Sequence, residues 1–233
     1  MTRLILAVLL LVVSLAQAAE PAASPAPHTI VLVRHGHYLP DPTADAKLGP
    51  GLSRLGIAQS RVVGARLARM SPRFDALYVS PLQRARDTAA TVAGKFPGQR
   101  FTVIGDLAEC TPPTRDAQVI AGEESESAVA CQAQLERVFA KYFQPAVGKP
   151  RTELFVCHGN VTRYLATRAL GVDSKAWPAM SVGHASITRI RIEANGSIHL
   201  IALGDVGHLP ANLLTGTIGD AEPNLAIAPP KMP

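Results

Sequence analysis

Four short apolar stretches of this 233-residue chain each have polar residues at or just beyond their end. The stretches are residues 30–33, 76–79, 101–104 and 154–157. They are rich in β-branched and aromatic residues and do not alternate with polar ones, which is typical of parallel strands buried on both faces. The chain is therefore predicted to fold around a parallel sheet.

Helical patterns separate these strands, at residues 52–70, 85–96, 127–143 and 160–170. Strand and helix alternate, which predicts an α/β fold. Residues 186–192 and 197–203 alternate polar and apolar side chains around Asn195-Gly196, a strong hairpin signal. We expect a single domain with a mostly parallel central sheet flanked by helices and a C-terminal antiparallel hairpin.

The N-terminus has a different composition from the rest of the chain. Arg3 precedes an apolar core, residues 4–15, and Ala16-Gln17-Ala18 has the small-x-small pattern of a signal-peptidase site. As a helix this core would reach about 18 Å, short of the roughly 30 Å hydrocarbon layer of a membrane. Residues 1–18 are predicted to be a signal peptide, which implies a periplasmic or secreted protein with no stable membrane span after cleavage; retention of this segment as a membrane anchor is the alternative.

The remaining chain is interpreted as one folded unit with short flanks. Residues 19–28 are rich in Pro and Ala and are expected to form a linker, residues 29–215 the domain, and residues 216–233 a disordered tail. The net charge is only +5. Because Arg and Lys are scattered rather than clustered, no nucleic-acid partner is expected. The sequence does not define an oligomeric state.

The three cysteines give limited information. Cys110 and Cys131 could pair in an oxidising compartment, although their spacing does not show that they do. Cys157 ends an apolar stretch and is expected to be a buried thiol. Neither a Cys-x-x-Cys nor a His-Glu-x-x-His motif is present in the sequence, so no metal and no other cofactor are expected.

Polar residues follow the predicted strands at their carboxyl ends, where parallel sheets bind ligands. They are Arg34-His35-Gly36 after the first strand, residues 80–84 after the second, Glu109 beyond the third, and His158-Gly159-Asn160 after the fourth. In open sheets of this kind, ligands bind beyond the carboxyl ends of the strands. One site built from four strand ends is therefore predicted.

The residue types in this set suit phosphoryl transfer. A guanidinium can bind a phosphate through two parallel hydrogen bonds, and Arg34 and Arg84 offer two such groups. Their positive field disfavours protonation of a neighbouring imidazole. His35 is therefore expected to stay neutral near pH 7 and to attack phosphorus, forming a phosphohistidine.

The other predicted site residues support that attack. His158 is expected to bind the phosphate and to donate a hydrogen bond to charge that grows in the transition state. Glu109 could protonate the departing alkoxide and then take a proton from water, provided that its pKa is raised. His37 and Asn160 are expected to contact substrate. The remaining histidines are interpreted as lying outside the site: His28, His184, His199 and His208.

Together these motifs resemble the histidine phosphatase superfamily, also called phosphoglycerate-mutase-like. The likeness spans most of residues 29–214 and lies in Leu32-Val33-Arg34-His35-Gly36, Ser80-Pro81-Leu82-Gln83-Arg84, Glu109 and Cys157-His158-Gly159-Asn160. It implies a phosphorylated His35, a phosphate pocket made by Arg34, Arg84 and His158, and Glu109 as proton donor. Within the superfamily, the likeness is to a group of serine/threonine protein phosphatases, which favours a phosphatase over a mutase.

The sequence therefore predicts an exported phosphomonoesterase. Its substrate would be a phosphorylated small molecule or a phosphoprotein. A phosphoglycerate-mutase-type phosphotransferase is one alternative, although recycling sugar phosphates has little use outside the cytoplasm. A catalytically silent phosphate-binding module is the other.

Overall fold

The computed structural model describes residues 23–119 and 125–217 of the chain. The predicted signal peptide and nearly all of the predicted disordered tail lie outside the described residues. Within those two segments, no helix is both long and apolar enough to cross a membrane.

The described fold alternates strands and helices. Its strands are β1 (Pro25–Ala26), β2 (His28–Arg34), β3 (Ala76–Val79), β4 (Phe101–Val103), β5 (Ala146–Val147), β6 (Arg151–Cys157), β7 (Ile187–Ile192) and β8 (Ile198–Asp205). Its α-helices are α1 (Arg54–Met70), α2 (Gln83–Ala93), α3 (Ser125–Tyr142) and α4 (Gly159–Leu170). Short 3-10 helices occur at Gly105–Leu107, Ser174–Ala179 and Ala211–Leu213.

The central sheet has the order β4-β3-β6-β2-β7-β8. The first four strands in this order are parallel to one another, whereas β7 runs antiparallel to both β2 and β8. The predicted α/β fold with a mostly parallel sheet and a C-terminal antiparallel hairpin is therefore confirmed. The same topology brings the carboxyl ends of β2, β3, β4 and β6 to one edge.

Both faces of β2 are buried, as its unbroken apolar run predicts. Val31 and Val33 join a core with the apolar faces of α1 and α2. Ile30 and Leu32 point the other way, into a core formed with α3 and α4. Each of these four side chains is at most 2% exposed, and full burial of such a side chain contributes about 1.5–3 kcal/mol. The strand that carries the predicted nucleophile is therefore held from both sides.

The folded part begins earlier than the predicted boundary at residue 29. Pro25 and Ala26 pair antiparallel with Val147 and Ala146, so part of the predicted linker is a strand. His28 is already the first residue of β2, and its Nδ1 lies 2.9 Å from the carbonyl oxygen of Gln144. The composition of this stretch could not show that partner, which comes more than a hundred residues later in the chain.

Cys110 and Cys131, whose pairing the sequence left open, form a disulfide. Cys157 is a free, buried thiol, as predicted, and burial raises its pKa to about 12. The disulfide joins α3 to the residue that directly follows Glu109. It therefore fixes the backbone beside one of the predicted site residues.

We expect the double variant Cys110→Ser/Cys131→Ser to lose about 3 kcal/mol of unfolding free energy, because the bond closes a loop with a sequence separation of 21 residues. Urea denaturation followed by circular dichroism measures this loss. The wild-type protein unfolded with and without a dithiol reductant provides the same comparison without a substitution. Equal stability of the oxidised and reduced proteins would contradict the expectation.

Candidate active site

His35 is the first residue after β2, and its ring is fixed in one tautomer. Its Nδ1 lies 2.7 Å from the carbonyl oxygen of Gly36, and Nε of Arg84 donates to its Nε2 at 3.1 Å. Because a guanidinium can only donate, Nε2 carries the lone pair and Nδ1 carries the proton. The Nε2 lone pair of the ring is therefore directed at the guanidinium of Arg84.

Burial keeps this imidazole neutral. His35 is 1% exposed, and desolvation lowers its pKa well below the ordinary value for histidine. Neighbouring groups lower the pKa of this ring further, and they are His158, Arg34, His184 and Arg84. A neutral imidazole near pH 7 is the form that a nucleophile requires.

Arg34, the last residue of β2, is held along one edge of its guanidinium. Nη1 donates to the carbonyl oxygens of Val182 at 2.6 Å and Gly216 at 3.1 Å, and Nη2 donates to Nε2 of His184 at 3.1 Å. Its Nε is buried without a hydrogen-bond partner. Burial lowers the pKa of Arg34 to about 10, so the group remains charged at pH 7. A charged donor with an unused N–H is suited to an anion.

His158 lies directly across from His35. It is the N-cap residue of α4, and its ring centroid is 4.9 Å from that of His35. Its Nε2 is 2.6 Å from Oγ of Ser80, the residue that follows β3. Its Nδ1 is buried with no partner, and burial lowers its pKa well below the ordinary value, with Arg84 and Arg34 adding to the effect. The side chains around His35 thus include two buried nitrogens without hydrogen-bond partners, Nδ1 of His158 and Nε of Arg34.

Glu109 reaches the site from the loop that follows β4. Its Oε1 accepts a hydrogen bond from the backbone N–H of Asn160, in the first turn of α4, at 3.2 Å. The side chain is partly exposed, yet desolvation by the surrounding protein raises the pKa of its carboxyl. That rise outweighs the lowering by three guanidinium groups, which belong to Arg34, Arg84 and Arg163. The direction is the one that a proton donor needs.

Asn160, predicted to contact substrate, has protein partners for its side chain in this structure. Its Oδ1 accepts from Nη2 of Arg163 at 2.5 Å, and its Nδ2 donates to the carbonyl oxygen of Cys110 at 3.1 Å. The polar atoms of its side chain are therefore bonded to protein groups. In these contacts Asn160 supports the loop that carries Glu109.

Gly36 and Gly56 allow the start of α1 to lie against the end of β2. A Cβ atom on Gly36 would meet the carbonyl oxygen of Gly56 at 2.5 Å, and a Cβ atom on Gly56 would meet the carbonyl oxygen of His37 at 2.0 Å. Both contacts are shorter than atoms allow, so only glycine fits at either position. The backbone beside His35 is thereby packed directly on the helix.

Two further histidines, His37 and His184, lie beside the pocket. His37, expected to contact substrate, is buried, with its backbone N–H donating to Gln59 at 2.7 Å and its Nδ1 2.8 Å from Oγ of Ser53. Its ring lies 5.5 Å from that of His184. His184 was placed outside the site, and this interpretation is wrong because its ring lies 5.5 Å from that of His35 and bonds Arg34.

The sheet topology, and not a local sequence signal, explains the position of His184. It lies three residues before β7, and β7 pairs antiparallel with β2. The residues just before β7 must therefore come to the edge where β2 ends. Tyr38, which lies under the guanidinium of Arg84 at 4.8 Å from the ring centroid, is a second residue that the strand-end pattern did not identify.

The assembled side chains can bind and attack a phosphate. A neutral imidazole lone pair faces a guanidinium, a second guanidinium offers an unused N–H, and a carboxyl with a raised pKa lies nearby. A phosphate dianion would neutralise the charges of Arg34 and Arg84, and each charge-assisted hydrogen bond is about twice as strong as a neutral one. Among the described residues, no group of three or more His, Cys, Asp and Glu side chains is arranged to hold a metal ion.

Replacing Arg84 with alanine is expected to lower kcat by on the order of 10²–10³, the usual effect of removing one transition-state donor. Arg84→Lys should recover only part of the rate, because an ammonium lacks the planar fork. Steady-state kinetics with an aryl phosphate measures both variants. Arg86 is an exposed arginine on the same helix, so Arg86→Ala is the matched control. Equal rates for Arg84→Ala and Arg86→Ala would mean that Arg84 does not stabilise the transition state.

Comparison with known proteins agrees with this geometry. The family model of the histidine phosphatase superfamily, branch 1, matches residues 30–112 and 111–205. The mitochondrial serine/threonine-protein phosphatase Pgam5 of Drosophila persimilis is 32% identical over 202 residues, which cover 84% of this chain and 69% of that protein. The protein of the same name from Caenorhabditis elegans is 31% identical over 204 residues, covering 85% and 70%.

Solved structures share the fold. A phosphoglycerate mutase from Plasmodium falciparum aligns with a TM-score of 0.56 and 25% identity, covering 79% of this chain and 95% of that one. A mycobacterial glucosyl-3-phosphoglycerate phosphatase aligns with a TM-score of 0.58 and 21% identity, covering 76% and 99%. The family model spans most of the chain, and the site lies at the strand ends that it covers. The chain therefore belongs to branch 1 of the histidine phosphatase superfamily.

Proposed function

We propose that this protein is an exported phosphomonoesterase that works through a phosphohistidine on His35. The observation that carries the proposal is the fixed tautomer of this residue. Its Nε2 lone pair faces Nε of Arg84 at 3.1 Å. A phosphate bound by that guanidinium is presented to a neutral nucleophile. Membership of the histidine phosphatase superfamily supports the same chemistry.

The first half of the reaction transfers the phosphoryl group to the enzyme. Nε2 of His35 attacks phosphorus, the bond from phosphorus to the ester oxygen breaks, and Glu109 gives its proton to the departing alkoxide. Arg34, Arg84 and His158 donate hydrogen bonds to the phosphoryl oxygens while charge shifts onto them. The alcohol leaves, and His35 holds the phosphoryl group.

The second half releases phosphate. The Glu109 carboxylate takes a proton from water, the resulting hydroxide attacks phosphorus, and the bond between phosphorus and Nε2 breaks. Inorganic phosphate leaves and Glu109 is protonated again. The raised pKa of this carboxyl suits a group that must be an acid in one step and a base in the next.

The names of related proteins favour a phosphorylated protein as substrate. The Pgam5 relatives are serine/threonine-protein phosphatases. The solved structures that share the fold include a glucosyl-3-phosphoglycerate phosphatase, an alpha-ribazole phosphatase and a phosphoglycerate mutase. A phosphoserine or phosphothreonine side chain is the favoured substrate, with small phosphoesters second.

Phosphate release decides between these functions. The mature protein is assayed with an aryl phosphate, a phosphoserine/phosphothreonine peptide and 3-phosphoglycerate. Fastest turnover of the peptide would support a protein phosphatase. Interconversion of phosphoglycerates without release would indicate a phosphotransferase. Phosphate binding without any turnover would indicate a silent binding module.

Export is supported by two independent features. The first 18 residues carry the signal-peptide pattern described above. The disulfide between Cys110 and Cys131 is the second, because such bonds persist in oxidising compartments and are rare in the cytosol.

We expect the mature protein to begin at Ala19. N-terminal sequencing of protein recovered from the periplasm or the medium checks this position. An intact Met1 on protein recovered from the membrane fraction would contradict cleavage and would support a retained anchor.

A further inference from the structure

The two Nη atoms of Arg34 donate hydrogen bonds to residues far along the chain, whereas its Nε has no partner. Val182 and His184 lie just before β7, and Gly216 lies beyond the last 3-10 helix. Together they accept the hydrogen bonds of Nη1 and Nη2 described above. A side chain with several rotatable bonds is thus held in one orientation, which leaves Nε–H for a ligand.

His184 connects this contact to a buried polar network. Because Arg34 must donate to its Nε2, the ring carries its proton on Nδ1. Nδ1 in turn donates to Oγ1 of Thr215, 2.9 Å away, and that hydroxyl also accepts from Nε2 of Gln59 at 2.8 Å. The other amide atom of Gln59 accepts from the backbone N–H of His37. The network therefore runs from the nucleophile's loop to Arg34 through the C-terminal segment.

The backbone around His184 and Gly216 is shaped to make these contacts. Ala185 has a φ of 55°, which costs energy for a residue other than glycine, and its N–H donates to the carbonyl oxygens of Arg34 and His35. Gly216 has a φ of 70°, and a Cβ there would lie 2.6 Å from Nδ1 of His184. The protein thus retains strain at one position and requires glycine at another in order to bring these groups together.

We propose that His184 is a positioning residue for phosphate: supported by Thr215, it holds the guanidinium of Arg34 so that Nε–H remains directed at the substrate. This inference rests on the phosphate pocket of the proposed function. His184 has only 8% exposure, and burial together with Arg34 lowers its pKa, so the ring stays neutral and can accept from the guanidinium.

Affinity for inorganic phosphate, measured by isothermal titration calorimetry, tests the proposal without relying on turnover. His184→Leu removes the acceptor for Nη2 and is expected to weaken phosphate binding about tenfold, the scale of one hydrogen bond to a charged group. His184→Gln keeps an acceptor at the end of the side chain and should lose no more than about threefold. Thr215→Val, which removes the hydroxyl that fixes the ring, should fall between them.

A double-mutant cycle shows whether His184 acts through Arg34. In an Arg34→Ala background, His184→Leu should cause no further loss of phosphate affinity. His199→Gln, an exposed histidine on β8, serves as the control with unchanged affinity. Melting temperatures for each variant separate positioning from loss of folding, and Thr215→Val still tests the network if His184→Leu does not fold.

The outcomes separate this inference from the proposed function. Unchanged affinity in His184→Leu, equal losses in His184→Leu and His184→Gln, or additive losses with Arg34→Ala would each overturn the positioning role. A wild-type protein that binds phosphate and releases none from any ester would overturn the phosphatase function alone, and the affinity series would still be interpretable.

Discussion

Replacing His35 with alanine is expected to reduce phosphate release by on the order of 10⁴ or more, because removal of a covalent nucleophile leaves only binding and electrostatic effects. Among the described residues, the neighbouring imidazole of His184 uses its Nε2 lone pair to accept a hydrogen bond from Arg34. The His158 ring is 4.9 Å away, but its Nε2 is paired with Ser80. Turnover of an aryl phosphate by the wild type and the variant measures the loss.

Acid-quench labelling identifies the reason for that loss. The wild type, mixed with a ³²P-labelled substrate, should carry acid-labile phosphate, as expected of a phosphoramidate bond. The His35→Ala protein should carry none, and His199→Ala, which changes an exposed histidine on β8, should label like the wild type. Substantial turnover or labelling in His35→Ala would place the nucleophile elsewhere.

The strand-end pattern was sufficient to predict the fold and which side chains surround His35, for a physical reason. A parallel strand buried on both faces needs an unbroken apolar run, and β2 has one whose alternate side chains enter two different cores. The carboxyl ends of such strands must meet at one edge of the sheet. Arg34, His35, Arg84 and His158 lie at or just after the ends of β2, β3 and β6, and they come together because these three strands are neighbours.

The strand-end pattern could not place the site residues that come from the antiparallel strand β7 or from the C-terminal segment. His184 and Gly216 bond Arg34 across 150 and 182 residues of sequence. Nothing local in the sequence states that β7 lies beside β2, nor that the segment after the last 3-10 helix returns to the pocket. The strand-end pattern also did not show that the side chain of Asn160 bonds Arg163 and the carbonyl oxygen of Cys110; its contact with substrate stays a prediction.

If Glu109 protonates the leaving group, the loss of kcat in Glu109→Gln should depend on how readily that group departs. Glu109→Gln keeps an oxygen that can accept from the backbone N–H of Asn160 but cannot deliver a proton. For phosphoserine, whose alkoxide is a poor leaving group, kcat should fall by on the order of 10²–10⁴, the range of general acid catalysis. For nitrophenyl phosphate the fall should be much smaller, because a nitrophenolate departs without a proton.

The pH dependence of phosphoserine hydrolysis tests the same role of Glu109. Burial favours the neutral carboxyl and raises the pKa of Glu109. In the wild type, this carboxyl should therefore remain protonated at pH values above the ordinary pKa of glutamate. The activity of the wild type on phosphoserine should then decline as the pH rises through that raised pKa, because only the protonated carboxyl can supply the alkoxide. This alkaline decline should disappear in Glu109→Gln. Equal losses on both substrates, or an unchanged alkaline decline, would mean that another group protonates the leaving oxygen.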